Sequence, residues 1–259
     1  MSDPVLRSVD GRTGIIELAR PDKFNCLSEA TLNGIDNARA AFEADPAVRA
    51  VLVRAQGDNF CTGADLDEVK AAREAEATVD RMIELGQDTL SRLEASPLPV
   101  VVAVQGLALA GGLELMMACD VVFAGDGARF GDQHAQFGLI PGFGGSQRLT
   151  RLIGLRRALD LFYSARWIDA AEAERFGLVN HVVPDTELWA AAGDYCATLA
   201  TRSRVGLAEM KRLAREGLDL PLDASMRLER DAAVRHLRGA DTAEGLAAFE
   251  GRRQPEFGD

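Results

Sequence analysis

Apolar positions along the chain fall into two kinds of pattern. Short runs with almost no polar interruption, "DPAVRAVLVRA", "SPLPVVVAVQG" and "DVVFAG", read as strands buried on both faces, whereas "VLRSV" and "GIIEL", parted by the turn signal "DGRTG", read as a pair of shorter strands. Between them Leu32, Ile35, Ala38 and Phe42 recur at helical spacing behind Ser28, a residue type that caps helix N-termini. "RPDKFNCLS" and "GDNFCTGADL" are loops, residues 67 to 95 are polar helices, "LVNHVV" is a late strand, and the pattern is helical from Thr186 to the end. "ARFGDQHAQFGLIPGFGGSQRL" has too many glycines for one regular element and is apolar enough to be packed, with a helix starting at "GSQRL". The alternation of strands and helices predicts an α/β fold with a helical C-terminal region and no linker between independent domains.

Composition narrows the class. The chain has 259 residues, 47% of them apolar, enough to bury one large core. Cys26, Cys61, Cys119 and Cys196 are scattered, and His134, His181 and His236 lie far apart, so reduced thiols and no metal site are expected. The start lacks a secretory pattern and no run reaches membrane-spanning length, which makes a cytoplasmic protein with no membrane partner the expectation. A net charge of -11 argues against nucleic acid as a partner.

The chemistry concentrates in "GLALAGGLELMMACD", residues 106 to 120, where Glu114 is the one ionisable side chain before Asp120. Gly111 and Gly112 stand where a strand becomes a helix, a turn that lets a ligand approach unpaired amides backed by the helix dipole. "CTGADL" is a second loop of this kind, and two such loops can clamp one carbonyl oxygen. An ionised Glu114 on a buried helix costs several kcal/mol unless paired or used. A core salt bridge or a capping contact would also account for it.

"KFNCLS", "NFCTGADL", "VQGLALAGGLELMMACD", "FGLIPGFGGSQRLTRLIG" and "AERFGLVNHVVP" occur in the order and spacing of the crotonase (enoyl-CoA hydratase/isomerase) superfamily, and the chain resembles it over nearly its whole length. The resemblance implies a spiral of ββα units with two roughly perpendicular sheets over residues 1–195. It also implies a helical region, 196–259, that assembles a homotrimer or a dimer of trimers. It implies an acyl-CoA thioester substrate, with coenzyme A part of that substrate and no separate cofactor. An enolate would be held by the amides of Ala64 and Gly111. Lys23 and Asn25 match the stretch that lies along coenzyme A, Cys61, Asp65, Leu66 and Gly112 fall in the two substrate loops, and Phe249 and Arg252 match a C-terminal segment that reaches the coenzyme in a neighbouring subunit.

One position departs from the family pattern. Hydratases of this family use two glutamates, and the second falls here on His134. The expected reaction is hydration of a 2-enoyl-CoA to a 3-hydroxyacyl-CoA, with Glu114 aligning water against Cβ and His134 protonating Cα, since imidazole titrates near neutral pH. Pro141, Gly144 and Gly145 are expected to be architectural. Asp132 would point away from His134 if the segment were extended. The departure keeps an enoyl-CoA isomerase or an acyl-CoA hydrolase as alternatives, and a non-catalytic acyl-CoA or RNA binding protein as a different class.

Overall fold

The computed structural model of the chain describes residues 3–74 and 76–258, so residue 75, inside the stretch expected to be helical, lies outside the described residues. β1 (Val5–Asp10) and β2 (Thr13–Leu18) form an antiparallel hairpin, with the positive φ of Gly11 matching the strand twist. α1 (Glu29–Ala44) starts where Ser28 accepts a hydrogen bond from the Thr31 amide at 3.1 Å, and it buries Leu32, Ile35, Ala38 and Phe42 as their spacing predicts.

β3 (Ala50–Ala55) is followed by α2 (Leu66–Ala72) and α3 (Glu76–Glu94). β4 (Val100–Val104) turns at Gly106 into the short β5 (Leu107–Leu109), which feeds α4 (Gly111–Met117). β6 (Val121–Gly125), β7 (Arg129–Gly131), a 3-10 turn (His134–Phe137), α5 (Gly145–Ile153) and α6 (Leu155–Ser164) come next. They are followed by β8 (Ile168–Asp169), α7 (Ala170–Phe176), β9 (His181–Val183) and α8 (Leu188–Leu199). α9 (Arg204–Leu218), α10 (Leu222–His236) and α11 (Ala240–Glu250) complete the chain.

The strands make two sheets. Six run in the order β1-β2-β3-β4-β6-β9, parallel from β2 onward, and three run in the order β5-β7-β8. Alternate residues of the large sheet serve different cores: Val51, Val53, Val100 and Val102 pack toward α1 and α4, while Leu52, Val101, Ala103 and Phe123 pack under Leu188, Ala192 and Cys196 of α8. Burial on both faces is why these strands read as unbroken apolar runs.

Two details add to the sequence reading. Residues 128–149 are not one regular element, as expected, and they include a strand that the sequence reading did not assign, β7, which pairs with β5 and β8. Strands of two or three residues are too short to show a period. The expected boundary at 195/196 lies within α8, whose Tyr195, Cys196 and Leu199 all pack against the large sheet.

Candidate active site

Leu109 ends β5, and Ala110 takes φ 48° and ψ −117° before α4 begins, a conformation that L residues rarely adopt. It is pinned by its amide, which donates to the Gly131 carbonyl at 3.0 Å, and by its carbonyl, which accepts from the Glu114 amide at 3.0 Å. The unusual ψ sets the direction of the Gly111 amide, the first of the helix, which has no carbonyl one turn earlier to bond. Ala64, in the neighbouring loop, forms a parallel bridge with Leu27 through the groups on either side of its own amide: Leu27 donates to the Gly63 carbonyl at 2.8 Å and Asp65 donates to the Leu27 carbonyl at 3.0 Å. The Ala64 N–H is thereby turned away from Leu27. Neither the Ala64 nor the Gly111 amide donates a hydrogen bond among the described residues. The loops touch, since a Cβ on Gly111 would lie 3.3 Å from the Ala64 nitrogen.

Glu114 is 1% exposed. Its Oε1 accepts hydrogen bonds from the amides of Phe143 at 2.8 Å and Gly145 at 2.7 Å, at the start of α5. The capping contact allowed by the sequence is therefore present, to a different helix from its own. Oε2 has neither amide and faces Nε2 of His134 at 4.0 Å. Burial pushes the carboxyl above its usual range, against the opposing pull of the Gly145 amide, the His134 charge and the Phe143 amide.

The segment before His134 is not extended. Asp132 and His134 are folded into contact by the 3-10 turn, with Nδ1 of His134 at 3.1 Å from Oδ1 and 3.0 Å from Oδ2 of Asp132, and the His134 amide donating to Oδ1 at 3.2 Å. Asp132 is 2% exposed. Burial pulls the imidazole pKa down, but the hydrogen bond to Asp132 and the charges of Asp132 and Glu114 outweigh it, and His134 lies above the ordinary value.

Other sequence candidates take varied places. Ala64 and Asp65 line a cavity of about 520 Å³ walled by Leu32, Ala71, Met82, Leu85 and Phe143, and Phe143 is the residue whose amide holds Glu114. A larger cleft of about 1020 Å³, between the β1–β2 turn, α8 and the C-terminal tail, is lined by none of Ala64, Gly111 and Glu114. Asp65 caps α2 through the Asp67 amide and accepts from Arg20 and the Cys26 thiol. Lys23 is exposed, 3.8 Å from Asp67, and Leu66 is exposed at the start of α2.

Three further candidates, Cys61, Gly112 and Asn25, make contacts within the protein. Cys61 is fully buried, with its thiol pushed up to about 12 by burial, so its side chain packs in the core. Gly112 is needed for packing, since a Cβ there would sit 2.0 Å from the Cys61 carbonyl oxygen. Asn25 uses its whole amide within the protein, accepting from Arg20 N and donating to the carbonyls of Gln56 and Asn59, each at 2.9 Å. Phe249 and Arg252 are exposed and do not line the cavity of this chain. Sequence reasoning missed the Phe143 and Gly145 amides as partners of Glu114 and Asp132 as the partner of His134. The glycines of "PGFGGSQ", opening a helix, were the available sign of a carboxylate-binding N-terminus.

The chain matches the family Enoyl-CoA hydratase/isomerase over residues 11–259. It is 37% identical over 256 residues to a protein of Mycobacterium bovis named as a probable enoyl-CoA hydratase, covering 98% of both chains. It is 35% identical to the crotonyl-CoA hydratase of Syntrophomonas wolfei, covering 98% of this chain and 97% of that one. The crystal structure of enoyl-CoA hydratase from Bacillus anthracis superposes with a TM-score of 0.94 at 32% identity, covering 98% of each chain. By sequence and by fold together, the chain belongs to the enoyl-CoA hydratase/isomerase family.

Proposed function

We propose that this protein adds water across the double bond of a 2-enoyl-CoA to give a 3-hydroxyacyl-CoA. One observation carries the reading: the Glu114 oxygen that no amide occupies faces the His134 imidazole at 4.0 Å, beside two unengaged amides in touching loops. One water oxygen fits between groups that far apart while hydrogen-bonded to both, at about 2.8 Å from each.

Glu114 takes a proton from that water as its oxygen bonds to Cβ, the pair of electrons moves to the thioester oxygen as an enolate, and the amides of Ala64 and Gly111 stabilise the charge. Each well-placed donor contributes roughly 3 kcal/mol to such a step. The His134 imidazolium then delivers its proton to Cα. Glu114 is left protonated and His134 neutral, so a proton passes from one to the other before the next turnover. No separate cofactor enters this sequence. The apolar cavity beside Ala64 suits the acyl group, Lys23 is placed at the outer surface where it can meet a coenzyme phosphate, and Phe249 and Arg252 serve a neighbouring subunit of a trimer. With no helix among the described residues long and apolar enough to cross a membrane, a cytoplasmic location fits this chemistry.

Incubation with crotonyl-CoA, read by loss of the conjugated thioester absorbance, tests the reading. Glu114→Gln and His134→Ala are each expected to lower kcat by about 10²–10⁴-fold, the range of general acid–base catalysis. Full activity in His134→Ala would reduce the imidazole to pocket lining. Tight acyl-CoA binding without turnover of any enoyl chain would favour isomerase, hydrolase or binding functions instead.

A further inference from the structure

The Asp132 carboxylate is buried, and every hydrogen bond it makes among the described residues goes to His134: two contacts to Nδ1 and one from the backbone amide. No arginine or lysine forms an ion pair with it among the described residues. A buried carboxylate without a counter-charge is costly, and the imidazole is the group available to supply one. The same contact fixes the ring. With Nδ1 committed to Asp132, Nε2 is the nitrogen left to meet Glu114.

We propose that Asp132 is a positioning residue for the reaction, its carboxylate holding His134 at Nδ1 so that Nε2–H is presented to the reacting carbon and to Glu114. The inference rests on the reading of His134 as the acid. Two charged groups act on His134, Asp132 from its own segment and Glu114 from α4. Both favour the imidazolium, and after Nε2 has given up its proton the ring is left as the Nδ1–H tautomer, which Asp132 accepts from. A purely local role is also available, because Asp132 Oδ1 accepting from the amide two residues on is an Asx turn that starts the 3-10 turn.

Asp132→Asn separates the two roles, since asparagine keeps the turn acceptor and loses the charge. The profile of kcat against pH on crotonyl-CoA is measured for the wild type, Asp132→Asn and His134→Ala. Histidine titrations are followed in parallel by 15N NMR, with the His134 signal assigned by its loss in His134→Ala. If Asp132 acts through His134, the alkaline limb of kcat and the His134 titration both move to lower pH by about one pH unit in Asp132→Asn, the usual effect of losing an opposite charge at this range. KM is unchanged, and kcat recovers at pH values below the displaced limb. A limb and a titration that stay at the wild-type pH, whatever the loss in kcat, overturn the proposal. If His134→Ala keeps the wild-type rate and alkaline limb, the acid assignment itself fails. If His134→Ala abolishes the limb while Asp132→Asn leaves it in place, only the role of Asp132 fails. The NMR titration reads the coupling even in a variant too slow to assay.

Discussion

The two oxygens of Glu114 are unequal in their surroundings, and the proposed role of this acid rests on the difference. Oε1 is held by two amides, and Oε2 is turned toward the imidazole. Because burial holds the folded carboxyl above the ordinary glutamate value of 4.5, ionising it costs more in the folded chain than in the unfolded one. Below about pH 4.5 both states are protonated and the cost is absent. It grows as pH rises past that point and levels off once the folded group has ionised, at about 1.4 kcal/mol for each unit of elevation. Glu114→Gln keeps an oxygen for the two amides and cannot ionise, so its melting temperature should gain on the wild type as pH is raised from 4.5 to 7. A difference that stays flat over that interval would show that the carboxyl bears no desolvation cost. The existence of this group was legible as a lone acid in an apolar run. Its partners were not, because the Phe143 and Gly145 amides are 29 and 31 residues away along the chain.

At the scale of elements, the site depends on how closely α4 approaches the loop after β3. A Cβ at Gly112 would sit 2.0 Å from the Cys61 carbonyl, backbone against backbone, where neither side can give way. Gly112→Ala is therefore expected to destabilise the protein by about 3 kcal/mol or more in urea unfolding. At Gly111 the nearest atoms would be 3.2–3.3 Å from an added Cβ, a contact that small shifts relieve, so Gly111→Ala should fold and lose activity through its displaced amide. Equal stability of both variants with the wild type would mean that the loops are looser than described. The long buried strands β3, β4 and β6 and the capped α1 were readable from local pattern. The short β5, β7 and β8 were not, yet β5 and β7 place Ala110, since its amide bonds to Gly131 at the end of β7.

For the whole molecule, the C-terminal helices present large apolar side chains to solvent in the single chain: Met210, Leu218, Leu222, Met226, Leu237 and Phe249 are all more than half exposed. Such a face on a chain carrying a net charge of -11 is the expected surface for a second copy in the proposed trimer. Met226→Asp combined with Leu222→Asp should move the protein, in sedimentation or size-exclusion measurements, from an oligomer toward the 27.8 kDa monomer. A wild type that already runs as a monomer would remove the basis for a partner's contribution from Phe249 and Arg252.

The sequence by itself determined the long buried strands, the capped α1, the two glycine-bearing loops and the isolated acid, because apolar periodicity, capping residues and glycine act over a few neighbouring positions. Only the tertiary structure decided which amides hold Glu114, that the Cys61 side chain and Gly112 are packed against their surroundings, and that Asp132 turns back onto His134. Those outcomes depend on one residue meeting another from a different element, or on a single turn bending where alternation would have kept two side chains apart. Local sequence pattern carries no record of either.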